Sequence, residues 1–484
     1  MFKKLSTGLF VLLLVFSVGI QAAEKKKELP KQVLFKNVHV WDGTSDGLTK
    51  KINVLVEGNL IKKVRASESD AHDQALVIEG DGKILMPGLI EMHVHYSTFL
   101  PLGDVRSNLH PYSHGALAVL RAKEFLMNGY TTTRDAGGPS KYLKDIIDAG
   151  IAPGPRIYPS ENWITTTSGH GDFRGLNEPH PSINGIGHFY DDYVSIIADG
   201  PEETTRAVRE TFRRGATQIK LFTSGGVTST YDPLHSGPNA EEIRAAVKVA
   251  EAWDTYVLTH SFSEKAINLA IDNGVKSIEH APFLTDKAAK KMIKKNIYLA
   301  TAVSPVLEIS VEAAEKTYSP ASFKKWKVVR DAALNMLEVL KRNPDLKVTL
   351  GSDLLGPWRG MKAVDDKMNL EFKYFGKYLG NLRTLKMATS TAGEMNLMTG
   401  KMNPYKDGPM GVIKEGAYAD LLLVDGNPLE NIELMLDPGK NFKIIMKDGV
   451  IYKNTLLHEL ISPDLDIQIK KTLPHMWGDY NYSE

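Results

Sequence analysis

Between residues 87 and 400, short apolar runs alternate with helical stretches, and that alternation constrains the fold more than any other feature. "LIEMHVH", "TTTRDAG", "RIYPS", "TQIKLF", "TYVLTH", "KSIEH", "IYLATA" and "KVTLGSD" read as eight strands. Helices fill the gaps. "YSHGALAVLRAKEFLMNG" spaces Ala116, Leu117, Leu120, Phe125 and Leu126 on one face and ends at Gly129, and "PEETTRAVRETFRRG" opens on Pro201 and closes on Gly215. Another helix is expected around residues 322–341. Strand–helix alternation implies a parallel sheet, and eight units suggest an α/β fold closed as a (β/α)8 TIM-type barrel over residues 87–400. A doubly wound open sheet is the alternative, but the glycine-rich phosphate turn it would want is not found. Residues 171–200, rich in Gly, Pro and His, read as a long loop of the kind that covers an active site.

Both ends of the chain have a different texture. Residues 24–86 and 401–453 carry short alternating runs broken by Gly and Asp, the pattern of antiparallel strands. The economical reading is one small β-sandwich domain made from both ends, with the barrel inserted between them and a C-terminal extension over 454–484. Residues 1–23 pair Lys3 and Lys4 with an apolar stretch and the small Ala22 and Ala23, which reads as a secretory signal peptide and a secreted or periplasmic protein. An uncleaved anchor is the alternative. No other segment is long and apolar enough to span a bilayer. The formal charge of +1 argues against nucleic acid or an anionic membrane as the main partner, and the absence of cysteine excludes disulfides and thiolate ligands.

His93 and His95 stand two apart on the first barrel strand, so their rings share a face. Lys220, His260, His280 and Asp353 end the fourth, fifth, sixth and eighth strands. Taken singly, each has an ordinary structural reading: a core histidine, a helix cap, a rim charge. Six such residues at the C-terminal ends of barrel strands surround one point, and the histidines converge to share a metal. An ammonium is no ligand. A buried lysine that loses its proton can take up CO₂ and become an anionic, bidentate carbamate.

The stretches "PGLIEMHVH", "IKLFTSGGV", "THSFS", "IEHA" and "GSD" resemble the amidohydrolase superfamily over about residues 33–453. "TTTSGHGD" and "KLFTSGGVTSTYDP" are similar to its imidazolonepropionase-like branch, which includes Xaa-Pro and Xaa-Arg/Lys dipeptidases and ochratoxin-hydrolysing amidases. The resemblance implies two divalent metal ions, with zinc expected. His93, His95 and Asp353 would hold one, His260 and His280 the other, and carboxylated Lys220 would bridge them. A hydroxide on the metals would attack an amide carbonyl, Asp353 would carry its proton to the leaving nitrogen, and His170 would polarise the carbonyl. Tyr231 would meet the free α-carboxylate of the substrate, with Arg134 or Arg174 as positional candidates for the same anion. The expected substrate is a small molecule, a dipeptide or N-acyl amino acid, and relatives of this kind form homo-oligomers. Hydrolysis of a lactone, cyclic amide or phosphotriester is the alternative within enzymes. A non-catalytic periplasmic binding protein is the alternative from another class, and Lys220 argues against a mononuclear deaminase.

Overall fold

The computed structural model describes residues 31–97, 110–175, 177–184, 194–229, 237–353 and 368–456. The leader over 1–23, Tyr231 and the tail from 457 onward lie outside the described residues.

Strands β1 to β5 are Gln32–Val40, Ile52–Glu57, Leu60–Val64, Leu76–Glu79 and Ile84–Pro87. Ten short strands follow: Leu89–Val94 (β6), Tyr130–Asp135 (β7), Arg156–Pro159 (β8), Trp163–Thr165 (β9), Ser195–Ile197 (β10), Ile219–Phe222 (β11), Val257–Ser261 (β12), Ser277–His280 (β13), Tyr298–Thr301 (β14) and Val348–Leu350 (β15). The chain returns to the first sheet with Leu421–Val424 (β16), Phe442–Lys447 (β17) and Val450–Asn454 (β18).

The end segments form one eight-stranded sheet in the order β18-β17-β16-β5-β1-β2-β3, with β4 beside β1. β1 belongs to two wings. Its first half pairs with β2 and β4, while His39 and Val40 pair with β5. The change of partner falls at a bulge between Phe35 and Val38, where Asn37 takes a left-handed φ of 54°. Phe35, Val54 and Ile61 of one wing share an apolar core with Leu85, Leu423 and Ile444 of the other. An all-antiparallel sheet was expected, but β1 runs parallel to both β4 and β5. Period-two alternation tells which face a strand buries and is silent on its partner's direction.

All eight strands expected in the middle are present, and every ladder among them is parallel. Their hydrogen bonds form a three-stranded sheet, β6-β7-β8, and a seven-stranded one, β10-β9-β11-β12-β13-β14-β15. The third expected strand is β8, which pairs with β7, and an unexpected strand just after it, β9, pairs with β11 instead. The backbone turns between them at Glu161, whose φ is 52°. Among the described residues, single backbone-to-backbone hydrogen bonds cross the two seams, Thr217 N–H to the Pro159 carbonyl at 2.8 Å and Asp353 N–H to the His93 carbonyl at 2.9 Å. Within the segment read as a long loop, the chain also forms the short helix Pro181–Asn184 and β10.

The helices follow their sequence signals. Gly200–Arg214 has Glu202 and Glu203 in its first turn, Arg213 and Arg214 in its last, and ends on Gly215 at φ 111°. Ala240–Ala252 starts with a capping box between Asn239 and Glu242. Their buried faces, Val208, Phe212, Ile243 and Val247, share one core with Leu299 and Met336. That core leaves the C-terminal ends of the parallel strands to carry polar residues.

Candidate metal centre

His93 and His95 both point one ring edge inward because a hydrogen bond fixes the other. His93 donates from Nδ1 to Glu279 Oε2 at 2.7 Å, which leaves Nε2 at 3.4 Å from Lys220 Nζ and 3.6 Å from Asp353 Oδ1. His95 donates from Nδ1 to the Gly137 carbonyl at 2.9 Å, with Nε2 at 3.4 Å from Asp353 Oδ1. His260 donates from Nε2 to the Gly225 carbonyl at 3.2 Å. His280 Nδ1 lies 3.9 Å from Asp353 Oδ2, and its ring centroid is 4.6 Å from those of His93 and His260. Potential ligand atoms of His93, His280 and Asp353 all lie within 4.8 Å of one another. The structure therefore brings together the six residues that end the strands. His280 and Asp353 are not glycines, yet their φ values are 66° and 48°. Such a conformation at a non-glycine residue persists only where the surroundings hold it.

Electrostatics in this enclosure favour neutral bases. Burial, reinforced by the Lys220 charge, holds His93 well below the usual imidazole range. Burial and the neighbouring His170 do the same to His260, and His280 is pushed down to about 3, mainly by burial. Lys220, only 1% exposed, falls to about 8 because burial penalises its ammonium form. Burial works against an ionised Asp353, but its hydrogen bond to His95 and the adjacent His280 outweigh that and lower its pKa. Neutral imidazoles, an ionised carboxylate and an amine able to shed its proton are the donor types that bind zinc and similar divalent ions. The residues present fit a metal centre.

Two buried carboxylates brace it, and sequence reasoning missed both. Glu279 accepts from His93, from Arg134 Nη2 at 2.6 Å and from Ser277 Oγ. Glu91 accepts the backbone N–H groups of His93 at 2.8 Å and Ser352 at 2.9 Å, tying β6 to the segment before Asp353, and burial raises its pKa to about 8. A charged residue inside a four- or six-residue apolar strand was the available signal. It demands a buried partner.

Arg134, read from sequence as a candidate for the substrate's anion, lies elsewhere. It is fully buried beneath the site, donating from Nε to the Met92 carbonyl at 2.7 Å and pairing with Glu279. Arg174 is paired with Asp172 at 2.6 Å. Neither lines the cavity over the six residues. His170 does line it, stacked on His260 with centroids 4.4 Å apart, and burial lowers its pKa to about 4. A Cβ on Gly226 would stand 2.6 Å from the His170 ring, so the glycine in "SGGV" is what admits the histidine. His110 and His180 serve locally, accepting the N–H groups of Tyr112 and Ser182.

The profile of the Amidohydrolase family matches residues 84–452. The chain belongs to that family. It is accordingly a hydrolase acting on carbon–nitrogen bonds. Ochratoxinase of Aspergillus niger is 31% identical over 388 residues, 76% of each chain. A prolidase crystallised with n-methylphosphonate-L-proline is 31% identical, with a TM-score of 0.78 over 88% of this chain and all of its own. The 5'-deoxyadenosine deaminase of Methanocaldococcus jannaschii is 40% identical over 312 residues, 59% of this chain and 68% of its own.

Proposed function

We propose that this amidohydrolase is binuclear and removes the C-terminal amino acid from a dipeptide or an N-acyl amino acid. The observation that carries this reading is Lys220, a buried amine set against His93 Nε2 in the midst of four histidines and Asp353. A mononuclear site has no use for it. Its neutral amine adds CO₂ with loss of one proton, giving a carbamate that can stand between two ligand groups. His93, His95 and Asp353 form one group and His260 and His280 the other.

Bound metal ions, zinc by preference for these donors, supply an acidified water as nucleophile and a Lewis acid for the scissile carbonyl. Asp353, held ionised, takes the proton of the attacking water and returns it to the leaving nitrogen. His170, held neutral, donates an N–H to the carbonyl oxygen as negative charge gathers there. Tyr231 is assigned to the substrate's α-carboxylate. We read the two parallel sheets as one (β/α)8 barrel interrupted at the turn after β8, with the sheet of the chain ends as a second domain, and residues 1–23 as an export signal. The likeness to prolidase and ochratoxinase supports amide hydrolysis of this kind.

The test is amino-acid release, read by mass spectrometry, from zinc-loaded protein. The panel holds Xaa-Pro, Xaa-Lys/Arg and Xaa-Phe dipeptides, their N-acyl counterparts and ochratoxin A, with Asp353→Asn alongside. Release by the wild type and a loss of at least about 10²-fold in the variant are expected. No release from any amide refutes the reading. Ammonia from 5'-deoxyadenosine would then favour a deaminase, and turnover of lactones or phosphotriesters the other alternative.

A further inference from the structure

The cavity over the metal centre has two unlike sides. Trp163, Phe173 and Phe222 wall the side nearest β9 and β11. On the side nearest β13 and β14 the cavity runs outward into a pocket between Pro305, Val306 and Tyr318 and the helix Pro320–Arg342. That helix contributes Val329, Ala333 and Met336. Spacings of four and three put these side chains on one face, and they are 3%, 2% and 1% exposed. Among the described residues lining the cavity, the charged side chains are Lys220 and Asp353, and both belong to the metal centre.

The pocket is built rather than incidental. Glu371 accepts the N–H groups of Val303 at 3.1 Å and Ser304 at 2.7 Å, which pins the turn carrying Pro305 and Val306. Thr301 Oγ1 contacts Met336 Sδ at 3.6 Å and sets the helix against the end of β14. Lys325 Nζ donates to the Ser229 carbonyl at 2.6 Å, tying the same helix to the loop that includes Val227 and Thr228. Walls held this way are pre-organised for a ligand.

Position decides which half of the substrate enters. Asp353 follows β15, the neighbour of β14, and it protonates the leaving nitrogen in the function proposed above, on which this inference rests. A group attached to that nitrogen would then stand beside β14 and β15, at the mouth of the pocket, with the acyl half over Trp163 and Phe222. We propose that the pocket takes the side chain of the departing amino acid, and that this side chain is uncharged and apolar, from leucine to phenylalanine in size. A lysine, arginine or glutamate side chain there would lose its water and meet no counter-charge among the described lining residues outside the metal centre. Ala333, the small residue between Val329 and Met336, sets the depth.

The experiment compares kcat/KM of the zinc-loaded full chain on N-acetyl derivatives of alanine, leucine, phenylalanine, lysine and glutamate. A second series varies the acyl group on leucine. Ala333→Leu and Val306→Ala are run in parallel, with melting and metal content as controls. Leucine and phenylalanine should exceed lysine and glutamate by about 10- to 100-fold. Ala333→Leu should lose phenylalanine and leucine by a similar factor and hold alanine to within about 2-fold. Val306→Ala, which widens the partly exposed rim, should raise phenylalanine relative to leucine; it decides the matter if Ala333→Leu fails to fold. A preference for lysine or glutamate overturns the inference and leaves amide hydrolysis standing. So does a variant effect confined to the acyl series, or an unchanged profile in the folded variants. If no amide is hydrolysed, calorimetry with free leucine and lysine decides. Leucine binding that Ala333→Leu abolishes upholds the pocket while the functional reading falls, and absence of leucine binding overturns the pocket as well.

Discussion

Two arginines are buried in adjacent strands, and each meets a carboxylate, but the pairs end in different places. Arg156, at the start of β8, is 1% exposed, pairs with Asp420 and Asp448, and lies 4.0 Å over the Tyr418 ring. The second oxygen of Asp420 accepts the Asp448 backbone N–H at 2.9 Å. That network joins the parallel strands to the sheet of the chain ends and stops at backbone. Arg134, near the end of β7, is fully buried and pairs with Glu279, whose same carboxylate oxygen also accepts from the imidazole of His93. This pair stops at a side chain that faces the cavity. The same interaction serves architecture at one end of the strands and orients a candidate ligand at the other.

The sharpest way to break the comparison is to break both pairs. Arg156→Ala and Glu279→Gln should each cost about 3–5 kcal/mol in denaturant unfolding, because each leaves a buried charge without its partner. The variants should then part company on metal. Glu279→Gln weakens zinc binding by about 10- to 100-fold in a chelator competition, since His93 loses the carboxylate that sets its tautomer. Arg156→Ala binds zinc as tightly as the wild type. Equal loss of zinc in both would make the pair under His93 merely structural. A smaller effect is expected from Gly226→Ala. The new methyl displaces His170, so kcat/KM falls by about 10-fold or more while the melting temperature hardly moves.

The smallest effect concerns acid. In metal-free protein, His170 titrates at about 4 when folded against an ordinary value of 6.5, because it is buried and near Lys220. The unfolded chain therefore binds the extra proton between about pH 6.5 and 4, and the stability associated with neutral His170 is lost as the pH falls through that window. The melting temperature of the wild type should fall relative to His170→Asn over the same range. A constant gap would mean that His170 is not held neutral by its surroundings.

Much of this arrangement was legible in the sequence, for physical reasons. Most of the eight parallel strands are compact, largely apolar runs between turn residues, β7 with its three threonines being the exception, and the residues ending five of them carry the candidate ligands. β9 and β10 escaped because three residues make no pattern. Arg134 was misread because alternation along β7 tells that it points inward but not how deep it lies. Glu279 needed only the question of what pairs with a carboxylate in "SIEH". The pocket on the helix Pro320–Arg342 was invisible, since Val329, Ala333 and Met336 look like any buried helical stripe until they are seen to line the cavity together with Pro305.

Metal stoichiometry tests the central claim most directly. Wild type refolded with zinc and bicarbonate should carry two metal ions per chain by mass spectrometry, and Lys220→Ala at most one, with the fold retained by circular dichroism. Two ions retained in Lys220→Ala, or one or none in the wild type, would contradict a lysine-bridged binuclear centre.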